Sequence, residues 1–117
     1  MTTTEVANKV VALLREGKFE DAQVAFYADK ILSTEPAGQF FKTVTSKQEV
    51  INAGKAFRET IETIHKLNIS DPMVCGPAFA ITFSLDADFK GSGRVLFEEI
   101  CSFKVQGGKI VSCSYIY

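Results

Sequence analysis

The apolar residues of this chain change their spacing once, and that change limits the folds open to it. Up to about residue 64 they recur at helical intervals: Val6, Val10, Leu13 and Leu14, then Phe19, Ala22, Gln23 and Phe26 on a shared face, then Val50, Gly54, Phe57, Ile61 and Ile64. From Leu67 onward they alternate. Phe79, Ile81, Phe83 and Leu85 are separated by Ala80, Thr82 and Ser84. Helices first and an antiparallel meander afterwards is the signature of an α+β domain. With 117 residues, a single domain spanning 1–117 is expected.

Local signals set the expected boundaries. Thr4 reads as the cap of the first helix and Gly17 as its C′ residue. A second helix is expected over 19–28, with Glu20 and Asp21 favoured in its first turn. Short extended pieces follow at 30–35 and 40–44, separated at Pro36-Ala-Gly38. Thr45 or Ser46 caps a long helix reaching about Ile64, and Ser46 with Glu49 fits a capping box. The remaining strands include 94–105 and 109–117, joined by a two-residue turn at Gly107-Gly108.

That turn fixes a register. Val105 then faces Ile110, Phe103 faces Ser112, Cys101 faces Ser114, and Glu99 faces Ile116. Pairing Phe83 with Glu99 brings Ile81 to Cys101 and Phe79 to Phe103. The inner face is apolar except for Glu99. Burial among Phe side chains would raise the pKa of that carboxyl and suit it to general acid or base work, whereas a core-paired or exposed acid would do nothing of the kind. The other face carries Leu96, Ile100, Val111, Cys113, Tyr115 and Tyr117. Such a stripe on an open sheet suits a homodimer interface, with Glu98 and Tyr117 as a pair within it.

Composition narrows the function classes. Thirteen basic against fourteen acidic residues argue against a nucleic-acid binder. The longest apolar run, Val10 to Leu14, is too short for a membrane span, and the start lacks a secretory pattern. Cys75, Cys101 and Cys113 are odd in number and lack CxxC spacing, so free thiols in a reducing, cytoplasmic setting are expected rather than disulfides or a metal site. No phosphate loop or nucleophile elbow is present, so no cofactor is expected.

Two stretches carry a family resemblance. Val11-Ala-Leu-Leu-Arg-Glu-Gly-Lys-Phe-Glu-Asp-Ala-Gln, followed by Phe26-Tyr-Ala-Asp29, resembles the opening of SnoaL-like domains of the nuclear transport factor two-like superfamily. Phe97-Glu-Glu-Ile-Cys-Ser-Phe-Lys-Val-Gln-Gly-Gly-Lys-Ile-Val resembles that family's closing hairpin. The order of elements matches over nearly the whole chain. The resemblance implies a cone of curved antiparallel sheet, closed by the long helix around a pocket, and frequent dimerisation through the outer sheet face. It leaves activity open, because the superfamily holds polyketide cyclases, ketosteroid isomerases, dehydratases and non-catalytic binding proteins.

Candidate groups can be named for such a pocket. Glu99, His65 and Asp86 are the acid/base candidates. His65 is in phase with Leu67 and Ile69, though a lone histidine after a helix is commonly a dipole partner or surface residue. Asp86 is out of phase with Phe83 and Leu85 and points outward unless a bulge re-aims it. Tyr27 and Glu35 could supply polar contacts, or be a core aromatic and a solvated turn residue. Phe57, Ile61, Phe83, Cys101 and Ser114 would complete the lining. A ketosteroid isomerase-like site, as the resemblance implies it, would need a carboxylate base, a tyrosine and a protonated acid. Tyr27, Glu99, Asp86 and His65 supply those types without aligning to that triad. Three functions follow: a binding domain for a small apolar, carbonyl-type ligand, an isomerase, cyclase or dehydratase, and a protein-interaction module.

Overall fold

The computed structural model describes residues 1–36 and 42–117. Helix α1 spans Thr3–Arg15 and is capped by Thr2, two residues before the expected Thr4. The reason is the acid at the third helical position. Thr2 Oγ1 accepts from the Glu5 backbone N–H at 3.1 Å, and the Thr2 N–H donates to Glu5 Oε1 at 3.0 Å. A cap at Thr4 would find Ala7 there. Gly17, at φ +75°, closes the helix as expected. The Gly17 N–H donates to the Leu14 carbonyl at 3.0 Å and the Lys18 N–H to that of Leu13 at 2.9 Å, a Schellman pair.

Helix α2 covers Phe19–Phe26 and stops two residues short of expectation, because Tyr27 is extended and opens strand β1, Tyr27–Thr34. The last carbonyls of α2 receive two ammonium groups, Lys47 Nζ on Val24 at 2.7 Å and Lys109 Nζ on Ala25 at 2.8 Å. Of the extended piece expected at 40–44, the first two residues lie outside the described residues, as do the last two of Pro36-Ala-Gly38; Val44 bridges Ser33.

Helix α3 is Lys47–Glu59. Ser46 caps it, with its Oγ accepting from the Glu49 N–H at 3.2 Å and donating to Glu49 Oε1 at 2.9 Å. The helix ends five residues before Ile64. Thr60, Ile61, Thr63 and Ile64 are β-branched, and the chain enters strand β2, Ile61–Ile69. Strand β3, Met73–Cys75, was not expected; it pairs with the start of β4, Ala78–Phe89. Strands β5, Gly93–Gln106, and β6, Lys109–Ile116, complete the sheet.

The sheet order is β1-β6-β5-β4-β2, with β3 on β4. The α+β class holds, and the sheet is mixed rather than wholly antiparallel, since β1 runs parallel to β6. The β4/β5 register is the expected one: Phe83 opposite Glu99, Ile81 opposite Cys101, Phe79 opposite Phe103. Phe79 and Phe103 stack with ring centroids 4.8 Å apart. The apolar face of α1, led by Val6 and Val10, packs with these residues in one core. Among the described residues no helix is long and apolar enough to cross a membrane.

The last hairpin departs from expectation. Gln106 pairs with Lys109 and Val105 with Ile110, but Lys104 then pairs with Ser112. Val111 is the extra residue of a β-bulge. Every later side chain therefore changes face. Cys113 and Tyr115 sit opposite Phe103 and Cys101 on the inner face, while Ser112, Ser114 and Ile116 turn outward. Cys113, Tyr115 and Tyr117 thus leave the expected outer stripe, and Ser114 leaves the expected pocket wall. The bulge turns two serines outward, Ser112 half-buried and Ser114 exposed, and puts an apolar thiol and an aromatic ring against the core.

Candidate functional site

A cavity of about 170 Å³ lies between the inner sheet face and the three helices. Glu99, Tyr27, Glu35, Phe57, Ile61, Phe83 and Cys101 all line it; Ser114 does not. Rings form much of its wall. Phe97 has Phe57, Phe83 and Tyr117 at centroid distances of 5.7, 6.4 and 5.5 Å, and Phe19 meets Phe83 at 6.0 Å.

Two carboxyls face this apolar space. Glu99 stands at the middle of β5, two residues from Cys101, whose thiol donates to Glu99 Oε1 at 3.3 Å. Burial pushes Glu99 up to about 7; the thiol opposes that shift and the charge of Glu35 adds to it. Glu35, just past β1, is also raised by burial, against the hydroxyl of Tyr117. Nearby runs a file of weak acids. The Tyr115 hydroxyl donates to Cys113 Sγ at 3.3 Å and lies against Tyr27. Burial raises Tyr27, Tyr115, Cys101 and Cys113 alike, so all four keep their protons at neutral pH.

His65 and Asp86 do not line the cavity. His65 lies within β2 at a register irregularity, six residues past the end of α3 rather than directly after it, and its Nε2 is 3.0 Å from Asp88 Oδ2. Asp86 points away, as its phase predicts, and takes both oxygens to Arg94, at 2.9 Å from Nε and from Nη2. The Arg94 guanidinium holds its carboxyl below the ordinary aspartate value. The structure thus gathers Glu99, Glu35 and Tyr27 and separates them from the other two candidates.

Sequence reasoning missed Tyr115, Gln23, Arg58 and Lys42, which also line the cavity. Tyr115 was hidden by the bulge. Its signal was the pair Ile110-Val111 followed by serines at every second position. Gln23 was placed on the apolar face of α2 by its phase, and Arg58 lies one position from Phe57 on the same helix. Among the described residues no group of three or more His, Cys, Asp or Glu could hold a metal ion.

Comparison with known proteins places the chain. The family described as the SnoaL-like domain matches residues 1–117. Among solved structures, a Mesorhizobium loti protein, provisionally described as a SnoaL-like polyketide cyclase, is 29% identical over the whole of both chains, with a TM-score of 0.92. A nuclear transport factor two-like protein from Burkholderia pseudomallei is 12% identical, with all of this chain and 92% of that one covered at a TM-score of 0.80. A Catenulispora acidiphila protein with a ketosteroid isomerase-like fold, solved with trimethylamine, is 16% identical over 84% of this chain and 73% of its own, at a TM-score of 0.68. The last two share the fold alone. No curated protein matches the sequence. A family match from end to end, on a sheet that wraps a lined cavity, makes this chain a member of the SnoaL-like domain family.

Proposed function

We propose that the domain binds a small, largely apolar molecule in the cavity, with a carbonyl or similar group turned toward Glu99. The observation that carries this reading is Glu99 itself, a carboxyl held near 7 on an otherwise apolar face and bordering open volume. A buried polar group without full hydrogen bonding costs stability, and a guest that bonds to it offsets that cost. Titration of labelled protein with acetophenone, an apolar carbonyl probe, tests it. Backbone resonances of Phe83, Phe97 and Glu99 should shift together, and Glu99→Gln should change the affinity several-fold. Shifts confined to the outer sheet face, or none, would overturn the reading.

A second reading is supported by the position of that pKa. At neutral pH both forms of Glu99 are populated, which suits a group that takes up and returns a proton. The ionised carboxylate would remove a proton from the carbon beside the carbonyl. The C–H electron pair would move to the oxygen as an enolate, and the protonated Tyr27 hydroxyl would donate to that oxygen. In a substrate with a carbon–carbon double bond one carbon further on, return of the proton from Glu99 to the far end of that bond, with the double bond shifting into conjugation, completes an isomerisation. In a cyclase the enolate carbon would instead attack a second carbonyl of the substrate, whose oxygen takes the proton from Glu99; in a dehydratase a β-hydroxyl would take that proton and leave as water. The provisional description of the Mesorhizobium loti relative as a polyketide cyclase supports this reading. Turnover should then rise with pH through about 7, the value of Glu99.

Leu32, Leu96, Ile100 and Ile116 share the outer sheet face and are exposed, which supports self-association there. The three cysteines are free, which suits a reducing compartment such as the cytoplasm.

A further inference from the structure

We infer that the cavity takes a ligand bearing a carboxylate, held by Arg58 and Gln23 while its apolar body lies among the phenylalanine rings. The inference rests on the cavity being a ligand site and adds the ligand's charge.

Arg58 is the starting point. The chain has three arginines. Arg15 reaches Asp71 at 2.8 Å and Arg94 grips Asp86 at 2.9 Å. Arg58 is half-buried in the cavity wall, and among the described residues no ion pair or hydrogen bond of its guanidinium is found. Residues 37–41, outside the description, contain no acid that could neutralise it. A guanidinium drawn into a lined cavity without a carboxylate is a ready partner for one from outside.

Its posture is built by Gly54, four residues earlier on α3. Helical side chains lean toward the N-terminus, so Arg58 lies back over this position. Arg58 Nη1 is 3.0 Å from where a Gly54 Cβ would stand, and the two polar atoms of Gln23 are 3.5 and 3.6 Å from the same point. Two donor-bearing groups therefore converge over one glycine. Gln23 Oε1 is buried with no hydrogen-bond partner, so the protein does not fix which end of the amide meets a guest. Lys42 adds a second positive charge to the lining. Neither cavity carboxyl is drawn down by a cation: burial and the charge of Glu35 raise Glu99, and burial raises Glu35. A ligand can thus place its charge at Arg58 and its uncharged polar group at Glu99.

Phenylacetate and its neutral isostere phenylacetamide test the inference, titrated into the labelled chain at about pH 6, where the acid ligand is ionised. Phenylacetate should bind about tenfold more tightly, the scale of a charge-assisted pair. Arg58→Gln should remove that preference, weakening phenylacetate about tenfold and the amide by much less. Gly54→Ala keeps the charge but pushes the guanidinium aside, so it should cut the preference several-fold while raising the thermal midpoint. Equal affinities in the wild type, or a preference that survives Arg58→Gln, would overturn the carboxylate assignment and leave the cavity reading standing. If neither compound shifts Phe83, Phe97 and Glu99, both readings fall.

Discussion

At the scale of single residues, Glu99 links the cavity to stability. Its value in the fold, about 7, lies above the ordinary 4.5, so the native state holds the proton more tightly than the unfolded chain. Between those two values the native state carries more protons, and stability falls as pH rises. The full shift corresponds to a loss of about 3 kcal/mol, less where water reaches the carboxyl from the cavity. Glu35, also raised, acts in the same direction. Glu99→Gln keeps the shape and removes the titration. In urea unfolding at pH 5 and pH 8 the variant should lose much of the wild-type decline, and should be the more stable protein at pH 8. Parallel declines in the two proteins would mean that Glu99 is solvated.

Among the elements, α3 is held at its start by one side chain. Ser46→Ala removes the acceptor for the Glu49 N–H and should cost about 1 kcal/mol, read as a lower urea midpoint at unchanged slope. This cap was legible because Ser46 and Glu49 stand three apart. The β4/β5 register was legible for a similar reason: strict alternation from Phe79 to Leu85 admits one inward face. The two-residue turn was equally plain, with Gly107 and Gly108 both at positive φ. What failed was counting onward from that turn. One inserted residue, Val111, reverses every side chain after it, and the two-residue turn itself does not announce a bulge two positions later. The end of α3 failed because Ile61 and Ile64 fit a helical stripe as well as a strand. His65 was misplaced with them. The parallel partnership of β1 with β6 lay beyond local pattern, since some 80 residues intervene. For the cavity, Glu99 was found because it interrupts an apolar alternation. Arg58 was missed because a charged residue near the end of a helix looks like solvent surface.

The whole molecule presents an outer face quite unlike its inner one. Leu96, Ile100 and Ile116 are 58%, 48% and 67% exposed, with Leu32 on the same side of the neighbouring strand. If this face joins two copies, sedimentation velocity should show a dimer that Ile100→Glu converts to monomer without loss of secondary structure. A wild-type monomer at high micromolar concentration would rule the dimer out. Among the described residues the first strand, apart from the Ser33–Val44 bridge, finds its partner strand only in the sixth. A ribosome makes the three helices and β1 first and the closing strand last. Until β6 arrives β1 lacks that partner, and until β2 to β5 have been made Val6 and Val10 lack the sheet they pack on. Closure across so long a stretch is entropically slow, so folding belongs to the millisecond-to-second regime of non-local topologies. The nascent chain spends its synthesis with apolar helix faces uncovered, the interval in which chaperones and misassembly compete for it.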